Sequence, residues 1–210
     1  MLKLHDINYY FITFMLFIMF VLGNWQQTIM ENFKNYDTEM QRIIAKSESF
    51  AVQKASEAQT VIQASNKWFE KQLRCMALNI FYEARGEPAL GQAAVGAVVL
   101  NRITHGFASD VCAVVYQYNV VKTEDESKKV CQFSWVCDIT RKAPSIYDPS
   151  WRQAQSIAKD LMTTEKYKDV LNDNVLYFHS TSVQPNWNKK QAIKIGNHIF
   201  YSKPAKQQKT

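Results

Sequence analysis

From Ile7 to Leu22 the chain reads INYYFITFMLFIMFVL, an apolar run without charge in which Asn8 and Thr13 are the clearly polar members. Carried on through Gly23 to Trp25 it reaches about 19 residues, the length at which a helix spans the hydrocarbon of a bilayer. Such a segment either stays in lipid or is removed as a signal peptide. The small-x-small pattern of a cleavage site is missing after Leu22, and Lys3 and the terminal amine are the firm positive charges before it. We therefore expect an uncleaved transmembrane signal anchor over residues 7–25. Lys3 precedes the span, whereas Glu31, Lys34, Asp37 and Glu39 follow with a net negative balance, which puts residues 1–6 in the cytoplasm and the bulk of the chain outside, on the periplasm or wall side. Export makes disulfides permissible among Cys75, Cys112, Cys131 and Cys137, with three pairings open.

Residues 26–66 contain neither Pro nor Gly, and Ile29, Phe33, Tyr36, Met40 and Ile43 alternate by four and three, as helix-seam residues do. The pattern decays through Ser47, Phe50 and Lys54. This predicts a helical stalk that self-associates over its first half. A polar helix docked on the following domain, or a partly disordered segment, is the alternative.

The remaining residues suit one domain over 67–203 followed by a basic tail over 204–210, since 47% of the chain is hydrophobic and 13% aromatic, enough for a core. A net charge of +6 favours anionic partners: nucleic acid, anionic lipid or an anionic wall polymer. Zinc-finger spacing and RNA-recognition signatures are missing, which argues against nucleic acid.

The domain begins near Trp68, where Leu73, Met76, Ala77, Ile80 and Phe81 give a helical pattern leading to Glu83-Ala-Arg-Gly-Glu87-Pro88. Gly86 is placed to stop that helix, and Pro88 to open a second one through Leu100 to Asn101 or Arg102, apolar nearly all round and so central to the core. Glu83 then falls at a helix end among Phe81, Tyr82 and Ala84. Such surroundings raise a carboxyl pKa, and an acid that stays protonated near neutral pH can protonate a glycosidic oxygen. Trp151 to Met162 has helical spacing. Asn174 to Phe178 and Lys194 to Tyr201 read as short strands of a small sheet, with a turn at Gly196 and Asn197. The charged segment Lys122 to Lys129 reads as a surface loop.

The ordered strings CMALNIFYEARGEPALGQAAVGAVVLNRI, VCAVVYQ, CQFSWVCD, YFHSTSVQPNW and IGNHIFY closely resemble the SleB/CwlJ-type cell wall hydrolase family, from about Arg74 to Tyr201. The resemblance implies an α+β fold, mainly helical and similar to the lysozyme and lytic transglycosylase group, with a small antiparallel sheet. It also implies that Glu83 is catalytic and that peptidoglycan is cut between N-acetylmuramic acid and N-acetylglucosamine by lytic transglycosylation, leaving a 1,6-anhydro sugar. True hydrolysis would need a second carboxylate, Glu87 being nearest in sequence, although the turn suggests that Glu87 holds the loop or binds Arg85.

Sugar rings stack on aromatic faces and their hydroxyls need polar partners. Phe133, Trp135, Tyr177 and Trp187 are thus candidate platforms, and Gln132, Ser134, His179, Ser180 and Thr181 candidate hydrogen-bonding groups. His198 is either a cleft wall or a packed sheet residue. A cysteine nucleophile with His179 or His198 and a metal site from Cys131, Cys137, His179 and His198 are the weaker readings. No metal or cofactor is expected. A membrane-tethered module that binds peptidoglycan without cutting it is the non-enzymatic alternative.

Overall fold

The computed structural model describes residues 4–122, 126–187 and 189–203, with side chains from Tyr9 onward. The expected cytoplasmic end and basic tail, apart from residues 4–6 and their backbone, lie outside the described residues. The fold is α+β: among the described residues there are five helices, α1 (Leu4–Ala84), α2 (Ala89–Thr104), α3 (Val111–Val115), α4 (Ser134–Cys137) and α5 (Pro149–Thr163), with two small antiparallel sheets. By contacts the chain divides into two units, one up to Gln63 and one from Ala64 onward.

In its described residues the first unit is helix alone. Most of its apolar side chains, from Tyr9 through Trp25 and on to Phe33, Tyr36, Met40 and Ile43, are solvent-exposed, and α1 contains a window of mean hydropathy 1.4 with none of it buried, long and apolar enough to cross a membrane. A helix in a protein owes most of its stability to tertiary packing, and an isolated one in water is marginal. An apolar surface of this size needs lipid or another apolar face against it.

In the second unit the end of α1 packs with α2 and α5. Gly96 marks the close approach: a Cβ there would press on Leu161, Ile80 and Met76. From Gly91 to Val99, α2 is buried on every side, and burying each valine stabilises the fold by about 1.5–3 kcal/mol. Asp148 caps α5 by accepting the Ser150 N–H at 2.8 Å, with Pro149 in the first turn. Gly86, at φ +95°, ends the α1 segment, and Pro88 takes the N-cap of α2.

The larger sheet has the order β3-β5-β4, from β3 (Val175–Ser180), β4 (Lys190–Ile195) and β5 (His198–Ser202), so the sequence's two strands are three. Phe178 pairs with Phe200 on the core face, while Tyr177 pairs with Tyr201 on the other. The expected loop around Lys122 to Lys129 is instead a hairpin, β1 (Tyr118–Lys122) against β2 (Ser127–Cys131), with residues 123–125 of its turn not described. Charge concealed its β-branched Val120, Val121 and Val130, which favour a pleated strand. Two disulfides form, Cys75–Cys112 and Cys131–Cys137. The second staples the hairpin to α4; with all four sulfurs bonded, neither a thiolate nucleophile nor a cysteine metal ligand is available.

Candidate active site

Glu83 occupies the last turn of α1, between Phe81 of one core cluster and Ala84 of the other. Its carboxyl is half-buried. Loss of water raises its pKa from 4.5 to about 7, against the pull of the Arg102 guanidinium. Among the described residues no hydrogen bond reaches this carboxylate, so its ionised form is held by charge alone.

Arg102 comes from the end of α2 and is 3% exposed. Its Nε donates to the Leu176 carbonyl at 2.8 Å, and the guanidinium lies 5.3 to 5.8 Å from the ring centres of Phe107, Phe133 and Tyr177. Burial lowers its pKa to about 10, opposed by Tyr177 and Glu83; it stays cationic at neutral pH. Its Nη1 is buried without a hydrogen-bond partner among the described residues. Next to it, Asn101 donates to the carbonyls of Asn172 and Val175, at 2.9 and 3.0 Å. The end of α2 thereby fixes the start of β3 and so the place of Tyr177.

The outer face of the sheet carries an aromatic group. The His179 Nδ1 donates to the Ser180 carbonyl at 2.8 Å, which leaves Nε2 to accept the Tyr201 hydroxyl at 2.9 Å. Trp187, 40% exposed, meets Tyr177, His179 and Tyr201 edge-on, and the Lys189 ammonium stands 4.3 Å from the Tyr177 ring and 4.7 Å from that of Trp187. Ser180 and Ser182 share a hydroxyl bond of 2.9 Å, and the exposed Thr181 is tied through its N–H to the Asn197 carbonyl.

Other expected residues fall elsewhere. Phe133 and Trp135 are buried, 3% and 6% exposed, which corrects the expectation that they offer sugar platforms: Phe133 underlies Arg102, and Trp135 stacks on Tyr82 while its indole N–H donates to Asn79. Gln132 and Ser134 are exposed beside them. His198 is packed against Phe178 and Phe200 on the core face, and burial lowers its pKa despite Glu87. Glu87 does hold a loop, but by accepting the Asn197 N–H at 3.0 Å; Arg85 lies over the Phe81 ring instead. Sequence reasoning missed Arg102, Tyr201 and Lys189. Arg102 was visible as the lone charge in an otherwise apolar helix, a position that demands a partner.

Residues 86–201 match the family of the description Cell Wall Hydrolase. Over 138 residues the chain is 29% identical to a spore cortex-lytic enzyme of Bacillus cereus, covering 64% of this chain and 46% of that protein; it spans about half the length of the curated relatives it matches. The catalytic domain of the Bacillus cereus SleB protein is similar at 25% identity with a TM-score of 0.40, over 63% of this chain and 91% of that one. Glu83 lies three residues ahead of the family match, which itself takes in the α2 helix, the sheet and the aromatic face: over more than half its length, the chain belongs to the cell wall hydrolase family.

Proposed function

We propose that the domain cleaves the glycan strand of peptidoglycan between N-acetylmuramic acid and N-acetylglucosamine, as a lytic transglycosylase with Glu83 as its acid and then its base. The observation that carries this reading is a carboxyl held near pKa 7 by burial, beside one buried cation. Protonated Glu83 gives its proton to the glycosidic oxygen as the bond to C1 breaks. The resulting carboxylate, steadied by Arg102, takes the proton of the muramic 6-hydroxyl as that oxygen closes on C1. No water is consumed. Among the described residues Arg102 is the charge acting on Glu83, and the carboxylate nearest in sequence, Glu87, is engaged with the Asn197 N–H. That favours transglycosylation over hydrolysis. Tyr177, His179, Trp187 and Tyr201 supply the sugar-binding face.

We further infer that the apolar start of α1 anchors the chain in a bilayer with the N-terminus inside and the domain extracytoplasmic. Two disulfides in the domain support an oxidising compartment. The test is mass spectrometry of products released from peptidoglycan by the full chain in detergent, wild type and Glu83→Gln. Anhydro-muropeptides from the wild type alone are expected. Reducing-end products would replace the reading with hydrolysis, and no products from either protein would leave a binding module.

A further inference from the structure

Beside the stripe of α1 that carries Glu83 runs another, Arg74, Leu78 and Tyr82, spaced by four, with Arg85 just past the helix end. The segment from Asp138 to Asp148 folds back over it, pinned where the Tyr82 hydroxyl donates to the Lys142 carbonyl at 2.7 Å. Two adjoining hollows, of about 350 and 420 Å³, open between helix and segment, with Tyr82, Arg141, Ala143 and Pro144 as walls of both. Arg85 and Lys142 line the first and Arg74 the second.

Charge in this groove is one-sided. Asp148 lines the first hollow, but its carboxylate is engaged with the Ser150 N–H. Asp138, which acts on Arg141, is turned to Thr140. Arg141 itself is spent on the carbonyls of Trp135, Val136 and Asp138 at 3.3 to 3.5 Å. Among the described residues, none of Arg74, Arg85 and Lys142 joins any of the ion pairs. Three cations thus face one groove without carboxylate partners.

A strand of N-acetylated hexoses carries no charge that would call for them. The peptide branches on its muramic residues do, because they leave the sugar next to the scissile bond and bear free carboxylates. We propose that this groove binds the carboxylates of the peptide branches of the substrate, beside the Glu83 stripe. The apolar walls at Leu78, Tyr82 and Pro144 take the short aliphatic side chains between them. The proposal rests on the peptidoglycan reading for the polymer's identity, not for the groove's chemistry.

The test is calorimetric titration of the full chain in detergent with a synthetic acidic tetrapeptide bearing free carboxylates, with the same peptide as its carboxamide, and with polyglycerol phosphate. The free acid is expected to bind, more weakly as salt rises, and the carboxamide is not. Reversing both exposed charges, Arg74→Glu with Lys142→Glu, is expected to weaken the acid about tenfold. Equal binding of acid and carboxamide, no binding of either, or an unchanged affinity in the double variant would overturn the proposal. So would a preference for polyglycerol phosphate, which would assign the groove to a phosphate polymer. Glu83→Gln is expected to keep peptide binding, so loss of the cleavage reading and loss of this one are separately visible.

Discussion

The end of α1 and the turn that follows it each present a half-buried glutamate, four residues apart, and the surroundings treat the two in opposite ways. Glu83 receives no hydrogen bond among the described residues and has one cation nearby, so its proton is retained up to about pH 7. Glu87 is used up by structure: its carboxylate accepts the Asn197 N–H, its backbone carbonyl accepts the Gln92 amide at 2.9 Å, and its side chain lies under Gly196. Similar burial therefore does not give similar roles. A donated N–H ties the Glu87 carboxylate into the fold, whereas the Glu83 carboxyl is left able to exchange its proton.

The largest effect is expected when Glu83→Gln removes the exchangeable proton: glycan cleavage should fall by about 10³-fold, read from the rate of muropeptide release. In the wild type the rate should fall as pH rises through about 7, as the acid form is lost. Stability should fall over the same range. A folded-state pKa raised from 4.5 to about 7 contributes stability that is fully present below pH 4.5 and lost as pH rises through 7. Above that pH the Gln variant should be more stable than wild type by up to about 3 kcal/mol in denaturant unfolding. A variant less stable at pH 8 than wild type would mean that the Glu83 charge is better paired than it looks.

The turn should yield the next largest effect. Gly196 has φ +58°, and a Cβ there would run into the Glu87 carboxylate. Gly196→Ala should cost about 2–3 kcal/mol, from the left-handed backbone and the displaced side chain. Gly86 also has positive φ, but its Cβ would meet nothing within 4 Å, so Gly86→Ala should cost only about 1 kcal/mol. Adding Glu87→Ala should relieve part of the Gly196→Ala loss and none of the Gly86→Ala loss, a coupling readable in a double-mutant cycle.

Much of this contrast was legible beforehand. The apolar pattern from Leu73 to Phe81 and the Gly86 stop located Glu83 at a helix end, because 3.6-residue periodicity and a left-handed glycine are local signals. The hairpin turn at Gly196 and Asn197 was legible for the same reason. What the site draws from distant parts of the chain was not. Arg102 arrives from the next helix and Tyr201 from the last strand, and only tertiary packing brings them to Tyr177 and His179. Phe133 and Trp135 misled because an aromatic beside polar residues reads alike whether it faces a cleft or the core, and burial is decided by what folds over it. The Asn197 contact of Glu87 spans the domain, so the turn's grip on this carboxylate could not be read from its neighbours in sequence.

Arg102 offers a finer break of the comparison, since among the described residues it alone lends Glu83 help in ionising. Arg102→Gln should raise the Glu83 pKa further, and the alkaline limb of the pH–rate profile should move to higher pH, whereas Arg102→Lys should leave that limb nearer its place. A merely structural arginine would lower the rate at every pH without moving the limb, so the profile separates the two roles even where the variants are less stable.

The smallest effect should come from making at Glu87 the same change that is most damaging at Glu83. In Glu87→Gln the side-chain carbonyl can still accept the Asn197 N–H, so what is lost is the charge on one hydrogen bond, about 0.5–1 kcal/mol of stability. Product release at neutral pH should stay within about twofold of wild type, since nothing in the one-carboxylate mechanism passes through this group. If Glu87→Gln instead abolished cleavage while the domain stayed folded, the turn would be chemical as well as structural, and a two-carboxylate hydrolysis would have to replace transglycosylation. Identical substitutions on the two sides of Gly86 thus test whether hydrogen-bond donation, and not burial, separates a structural carboxylate from a catalytic one.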